Sequence, residues 1–227
     1  MQYPTISEYV KASQDAGDNL DMSTEATNAE LNEAITDEFD VKYSKDERKI
    51  LRAPQELNGT YSIKEGVRII CNWAFGGCRS LSSVVIPDSV TSIGYKAFSV
   101  CTSLSSVVIP DSVVCINGNP FGKWYGKLEC LSPYFIYEDE VLFNKDKSKI
   151  ISCRVQGISS YIIPDSVTSI GSWAFSGCES LRSVVIPTSV TSIGRGAFRD
   201  SNLPVNLQLN LISRFGKNIC VTFYPYP

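Results

Sequence analysis

The residue types that most often carry enzymatic chemistry are missing or isolated in this 227-residue chain. It contains no histidine, which excludes the Ser-His-Asp and Cys-His nucleophile arrangements and every zinc site that uses histidine. Serine is plentiful, but a serine without a neighbouring base is a weak nucleophile. The sequence therefore predicts no catalytic residue, no bound cofactor and no enzymatic activity.

The eight cysteines also argue against a metal centre. No two of them form a CxxC motif, the spacing typical of zinc ribbons and iron–sulfur proteins. Cys78, Cys101 and Cys178 occupy the same position of an internal repeat, and free cysteine packs like a small hydrophobic side chain. We expect these thiols to be reduced and to lie in the core.

An acidic run, Glu138, Asp139 and Glu140, is the remaining candidate for ion binding. Carboxylates hold hard cations, but this run lacks the ligand spacing of a calcium loop. We place it on the exposed edge of a strand predicted over residues 138–143, where charge discourages unwanted strand pairing. No metal ligand is assigned.

Charge is distributed unevenly along the chain. The net charge is -3, and residues 1–40 alone carry ten acidic side chains and one lysine, a net of -9. The remainder carries a net of +6 that is spread over its whole length. A mild, dispersed positive balance indicates solvated surface rather than a nucleic-acid partner.

Hydrophobicity indicates neither a membrane span nor a secretory signal. No apolar run approaches the ~18 residues of a membrane-spanning helix, so no membrane insertion is expected. The first fifteen residues have neither a basic leader nor an apolar core. The expected location is therefore cytoplasmic, or the cell surface or exterior if a signal was trimmed from this sequence.

A nine-residue motif, IPDSVTSIG, organises most of the chain. It stands at residues 86–94 and 163–171, recurs with Thr188 in place of aspartate at residues 186–194, and begins again in degenerate form at Ile109. Within each half of the chain the copies are 23 residues apart. Residues 41–98 also match residues 141–198 at 29 of 58 positions. A 31-residue insert and three 23-residue coils therefore form one duplicated unit.

The first part of each coil has the apolar spacing of a leucine-rich repeat strand. In the coil over residues 81–103, side chains that alternate along the strand should place Leu81, Val84 and Ile86 inside. The same alternation should place Ser83 and Val85 outside.

The second part of the coil should close the turn. Pro87 ends the strand because it has no N–H. The side chains of Val90 and Ile93 should point inward again. Gly94 should allow the chain to turn after them. The Ala-Phe pair at residues 97–98 and then Cys101 should fill the far side. One coil cannot form a core alone, so stability depends on stacking.

The segments between the regular coils depart from this pattern. The third coil has Pro120 in the alanine position and Trp124 in the cysteine position, which predicts local repacking. The insert that follows predicts a β-hairpin, with strands over residues 138–143 and 149–153. Its N-terminal copy predicts another over residues 41–52. We place the two hairpin inserts at about residues 41–62 and 132–162.

Residues 1–40 predict an acidic, helical N-terminal cap or arm that precedes the solenoid of residues 41–227. Thr5 and Glu8 form one capping-box pattern, and Thr27 and Glu30 form a second. Apolar residues 31, 34 and 35 follow the second pattern at helical spacing. A solenoid needs such a cap to cover its first open edge.

The last coil degrades after Gly194. Apolar residues alternate at positions 205, 207, 209 and 211, and the chain then ends in the aromatic and proline-rich sequence TFYPYP. Aromatic side chains over the last coil, with prolines that block further pairing, suit a C-terminal cap over about residues 204–227.

The pattern LxxVxIPxSVTSIGxxAFxxC, as in residues 81–101, resembles the BspA-like bacterial leucine-rich repeats. The resemblance covers about residues 41–215. It implies a right-handed solenoid with a parallel β-sheet on one face, and several members also carry β-hairpin inserts. The helical N-terminal cap is predicted from residues 1–40 themselves. It also implies protein or host-matrix binding by secreted members and no enzymatic activity in the repeats.

The outward strand positions predict a strip of serines beside β-branched residues. Such a strip can bind a partner or can simply favour β-structure. Our first hypothesis is a non-enzymatic protein–protein interaction module or scaffold. The alternatives are a structural or remnant repeat fragment without a dedicated ligand, or a surface adhesin that binds host proteins if it is secreted. The candidate partner-binding residues are Ser83, Val85, Ser106, Val108, Ser160, Ile162, Ser183 and Val185.

Overall fold

Two short strands in each coil produce a β-solenoid of about six turns. The computed structural model describes residues 23–219. In chain order the elements are α1 (Asn28–Asn32), β1 (Ile35–Thr36), β2 (Lys42–Tyr43), β3 (Lys49–Arg52), β4 (Gly59–Ser62), β5 (Ile69–Ile70), β6 (Leu81–Val85), β7 (Ser92–Ile93), β8 (Ser106–Ile109), β9 (Cys115–Ile116), β10 (Lys127–Cys130), β11 (Phe135–Glu138), β12 (Val141–Asn144), β13 (Lys149–Cys153), β14 (Ser160–Ile162), β15 (Ser169–Ile170), β16 (Ser183–Val185), β17 (Ser192–Ile193), α2 (Val205–Phe215) and a 3-10 helix (Lys217–Ile219).

Equivalent strands of successive coils pair in parallel, in two rows. One row contains the pairs β4–β6, β8–β10 and β14–β16, and the other contains β3–β5–β7–β9 and β13–β15–β17. In the second row Ser92 lies opposite Cys115, and Ile93 lies opposite Ile116. The 23-residue period is therefore the length of one turn, and the LxxVxI segments form parallel sheet as predicted.

The core of the solenoid is a column of identical side chains from successive coils. The rings of Phe75 and Phe98 stack at 5.5 Å and 5°, and those of Phe98 and Phe121 stack at 6.1 Å and 14°. Leu81 and Val84 are buried as predicted, whereas Ile86 is only half-buried. The predicted core positions 90, 93, 97, 98 and 101 are all fully buried.

The third coil is repacked as predicted. Trp124 replaces the cysteine and is 1% exposed. Its indole Nε1–H donates to the Leu104 carbonyl at 2.7 Å, so the larger side chain brings its own hydrogen-bond partner into the core. Phe121 keeps its place in the column, and the Phe98 N–H donates to the Pro120 carbonyl at 2.9 Å.

The insert contains three strands, so the prediction of one strand over residues 138–143 is wrong. β11 ends at Glu138 and β12 begins at Val141. Between them Asp139 and Glu140 form the turn, with φ of 47° and 60°. Two-residue turns with positive φ at both positions match the twist of antiparallel strands. The acidic run therefore lies at a turn, and β11, β12 and β13 form an antiparallel sheet.

The N-terminal hairpin is confirmed, with β2 antiparallel to β3. Both hairpin turns contain a Lys-Asp sequence, at residues 45–46 and 145–146, and hydrogen bonding explains the aspartate. Asp46 Oδ1 accepts from Ser44 Oγ at 2.6 Å and from the Arg48 N–H at 3.2 Å. Asp146 Oδ1 accepts from the Ser148 N–H at 3.0 Å. Asp thus stabilises each turn through local backbone contacts, as expected for this residue type.

The predicted capping box before α1 is confirmed. The Glu30 N–H donates to Thr27 Oγ1 at 3.1 Å, and the Thr27 N–H donates to Glu30 Oε2 at 2.8 Å. The helix ends at Asn32, and Ile35 lies instead in β1, which pairs with β2. Cross-strand pairing has overridden the helical spacing there. The earlier helix predicted from Thr5 lies outside the described residues, and the N-terminal cap as a whole stays a prediction.

The alternation that begins at Val205 is helical, which corrects the strand-like reading of the last coil. Val205 and Leu209 are exposed, whereas Leu211 is buried and Leu207 is half-buried. Apolar residues two positions apart fit a strand, but residues four positions apart, such as Leu207 and Leu211, also share one face of a helix. α2 therefore covers the end of the stack. The aromatic and proline-rich end of the predicted C-terminal cap lies outside the described residues.

Candidate functional site

The predicted strip residues point outward, as the strand alternation requires. Val85 is 51% exposed, Val108 40%, Ile162 71% and Val185 52%. Their serine neighbours are exposed except for Ser83, which is half-buried. The exposure follows from the pleat, since the residues between them, such as Val84 and Val184, face the core.

The insert divides the strip into two patches. In the second patch, Ser160 lies opposite Ser183 and Ile162 lies opposite Val185. In the first patch, Ser83, Val85, Ser106 and Val108 lie on β6 and β8. Within the described residues β10 pairs only with β8, and β14 pairs only with β16. The sequence therefore predicted the exposed positions but not their separation.

The two patches differ in their charged neighbours. On β10, Lys127 lies opposite Ser106 and Glu129 lies opposite Val108. The first patch is therefore bordered by one positive and one negative side chain. The second patch has Ile162 opposite Val185, and neither β14 nor β16 carries a charged residue.

An aromatic cluster around Lys96 was not predicted from the sequence. The Lys96 Nζ lies 4.4 Å from the ring centroids of both Trp73 and Trp173, and 5.2 Å from that of Tyr95. Tyr95 and Trp173 are themselves in contact at 5.2 Å between ring centroids. Ammonium groups over aromatic faces are stabilised by the ring quadrupole. The cluster joins coils from the two copies of the duplication.

The backbone explains why these side chains meet. Trp73, Lys96 and Trp173 each precede the buried alanine of an Ala-Phe pair, and their φ angles are 64°, 54° and 62°. Because the backbone has the same left-handed conformation at the same position of each coil, all three side chains point to the same side of the solenoid. The sequence pattern that could have indicated this cluster is an aromatic or cationic residue immediately before the Ala-Phe pair in these three coils.

Burial lowers the pKa of Lys96 to about 8, and the charge of Arg199 acts in the same direction. An unfolded chain holds this proton up to about pH 10.4. The unfolded chain therefore binds more protons between the two values, and the stability contribution of Lys96 rises with pH from about 8 to about 10.4. Below that window both states are protonated and the contribution is constant.

This prediction is checked by the pH dependence of the unfolding free energy. The difference between the wild type and Lys96→Met should change across the window and be flat below it. NMR titration of the labelled lysine gives the pKa of the amine directly. A midpoint at or above that of free lysine would show that the ring contacts outweigh burial.

A cavity of about 180 Å³ lies where the third coil meets the second copy of the duplication. Arg154, which is 5% exposed, lies in its wall. The guanidinium stacks over the Trp124 ring at 4.5 Å, and its Nη1 donates to the Tyr137 hydroxyl at 2.7 Å. Burial lowers the pKa of Arg154 from its usual value. Nothing in the sequence alone marked this residue.

The thiols at the repeated cysteine position are buried as predicted. Cys78 and Cys101 are fully buried and Cys178 is 8% exposed. Burial raises the pKa of Cys78 to about 11 and that of Cys101 to about 12. These thiols are therefore protonated at neutral pH, which makes them poor nucleophiles.

Two kinds of site are absent from the described part of the chain. Across residues 23–219, no three cysteine, aspartate or glutamate side chains converge as a metal ion requires. No helix within that range is both long and apolar enough to cross a bilayer.

Comparison with known proteins gives matches to repeat proteins. Six copies of a BspA type leucine rich repeat region match residues 57–129 and 152–219. A leucine rich cell surface protein from Faecalibacterium prausnitzii A2-165 is 35% identical, with a TM-score of 0.55, over 66% of this chain and 41% of that one. The pneumococcal vaccine antigen PcpA is 23% identical, with a TM-score of 0.54, over 64% of this chain and 37% of that one.

The second of these likenesses shows the fold alone. The chain spans less than half the length of either protein. No curated protein matches the sequence.

Proposed function

The chain belongs to the BspA-type leucine-rich repeat family, and on that premise we propose that it is a non-enzymatic module that binds another protein. The observation that carries the proposal is the pair of outward patches. Each presents β-branched side chains at 40% exposure or more, and in the second patch the paired strands β14 and β16 hold them in register. Exposed apolar side chains in an ordered array are typical of interaction surfaces.

Binding rather than catalysis is supported by the state of the ionisable groups. The chain has no histidine, and burial keeps the thiols of Cys78 and Cys101 protonated. Burial likewise raises the pKa of Tyr61, whose hydroxyl donates to Asp37 Oδ2 at 2.5 Å. These shifts keep the two thiols and the phenol neutral, whereas a cysteine or tyrosine that acts as a nucleophile or base must ionise near neutral pH.

Charge placed on the patches should abolish binding and leave the fold intact. We expect Val85→Asp with Val108→Asp, or Ile162→Asp with Val185→Asp, to reduce capture of the partner by about tenfold or more. An unpaired carboxylate in an apolar contact costs more than the ~1.4 kcal/mol that this factor represents. Capture from cells that express the chain naturally, quantified by mass spectrometry, measures the effect.

Thr188→Asp is the matched control. It adds one carboxylate, half the charge of each pair, to the coil that carries Val185, at an exposed position where other coils already have aspartate. Loss of capture with one pair of patch substitutions and not with the control would identify the binding patch. Capture that never exceeds background, or that both pairs leave unchanged, would favour a structural repeat fragment without a dedicated ligand.

We further propose that the chain acts at the cell surface. The Faecalibacterium prausnitzii protein to which it is 35% identical is named a leucine rich cell surface protein. This proposal departs from the cytoplasmic location expected from the first residues. Protease treatment of intact cells should release peptides of the chain. Peptides released only after lysis would contradict a surface location and with it the adhesin hypothesis.

A further inference from the structure

The hydrogen-bonding capacity of Arg154 is only partly used. A guanidinium has five N–H donors and no acceptor. Nη1 donates to Tyr137 Oη at 2.7 Å and Nη2 donates to the Gly126 carbonyl. The buried Nε has no hydrogen-bond partner among the described residues. These two hydrogen bonds therefore hold the guanidinium in one orientation, and its remaining N–H donors are not used by them.

The charge of Arg154 also has no carboxylate of the described chain in ion-pair contact, and Glu140 acts on it only from a longer distance. No aspartate or glutamate of the described chain lies within 4.0 Å of its nitrogens. Its two hydrogen-bond acceptors are a phenol and a carbonyl, both neutral. A buried charge without a counter-ion is costly, and an unpaired buried donor adds to that cost. A bound anion would offset both.

The cavity has the dimensions and the walls for a small anion. Its volume is about 180 Å³. Apolar wall is supplied by Phe121, Trp124 and Val155, and Ser176 lines the same space. Glu179 is the acidic residue of the lining, and Lys123 pairs with it at 2.9 Å. That pair offsets the repulsion that the carboxylate would otherwise exert on an anion.

The first copy of the duplication lacks this arrangement. Position 54 is proline where position 154 is arginine, and position 53 is alanine where position 153 is cysteine. The corresponding groove, bordered by Arg52, Gln55 and Glu56, is open and lacks the third coil's Trp124 and Tyr125. Among the described residues, the cavity beside Arg154 therefore forms where the third coil meets the second copy.

We propose that Arg154 and the cavity around it form a binding site for a small oxyanion, the carboxylate of a short organic acid or an inorganic phosphate. Arginine binds both groups through paired N–H donors. The apolar wall beside the guanidinium suits the aliphatic part of an organic acid. This site is separate from the two outward patches and does not depend on the proposed protein binding.

Calorimetric titration of the full chain with butyrate and with inorganic phosphate, at constant ionic strength, tests the proposal. At least one probe should bind saturably at one site per chain. Arg154→Met should weaken that binding by about tenfold or more, since it removes the charge-assisted hydrogen bonds. Arg52→Met, in the groove of the first copy, is the matched control and should leave the affinity unchanged.

A second variant covers the possibility that Arg154→Met does not fold. Ser180 is exposed and borders the cavity, so Ser180→Tyr should fill the space without removing the arginine. It should also weaken binding. Butyrate or phosphate binding that is lost in a folded variant supports the site, and the preferred probe shows whether the apolar wall contributes. No saturable binding of either probe, or binding that the folded variants leave unchanged, would overturn it.

Discussion

Replacement of Phe98 by alanine should destabilise the protein by about 3–5 kcal/mol, since truncation of a buried aromatic ring removes its transfer free energy and leaves a cavity. The ring is fully buried and stacks on Phe75 on one side and Phe121 on the other. The loss therefore affects two interfaces between coils. In a solenoid, stability is largely the sum of such nearest-neighbour interfaces.

Chemical denaturation of Phe98→Ala beside the wild type measures this cost. Val108→Ala is the matched control, because it truncates an outward side chain of the next turn that is 40% exposed. A surface truncation of this kind should change the free energy of unfolding by about 0.5 kcal/mol or less. If the two variants lost similar stability, the phenylalanine column would not be the main contribution of the coil.

Gly94→Ala should cost about 2 kcal/mol or more, since a methyl group at this position must displace packed backbone. An added Cβ would lie 2.5 Å from the Asn72 nitrogen and 2.7 Å from the Cys71 carbonyl carbon of the preceding coil. Asn72 cannot readily move away. Its Oδ1 accepts hydrogen bonds from Thr24 Oγ1 at 2.8 Å and from the Tyr95 N–H at 2.9 Å.

Gly122→Ala provides the matched glycine control. An added Cβ there first meets the Ser99 Oγ at 3.1 Å, a side-chain atom, with no backbone atom among its nearest contacts. Its effect on thermal unfolding should be clearly smaller than that of Gly94→Ala. An equal or larger effect would contradict the close approach of two coils as the cause of the loss at Gly94, because the entropic effect of Gly→Ala on the unfolded chain is by itself stabilising.

The glycine at the end of IPDSVTSIG thus has a different role from the one its sequence context indicates. Its φ lies outside the left-handed region, so conformational freedom is not what requires glycine. The same close approach recurs at Gly194, where an added Cβ would lie 2.4 Å from the Ser172 nitrogen. Glycine is required because stacked coils leave no room for a side chain, and a single coil viewed alone does not show this.

The sequence by itself determined the coil and its core. The period of 23 residues, the inward set that includes Ile93 and Phe98, and the outward set that includes Val85 are all confirmed by the structure. These features could be predicted because each coil repeats one pattern. Side chains alternate along a strand, so the position of a residue in the strand tells whether its side chain points inward or outward. Because the same pattern recurs in several coils, the direction of each side chain is predicted several times. Agreement among the copies compensates for the weak signal of any single copy.

Tertiary structure alone decided the features that occur once. Alternating leucines fit both strand and helix, and only packing against the last coil made α2 helical. The insert separated the two patches. Lys96 with its rings, and Arg154 with its cavity, depend on contacts between the two copies of the duplication. Such contacts join residues far apart in the sequence, and no local pattern encodes them.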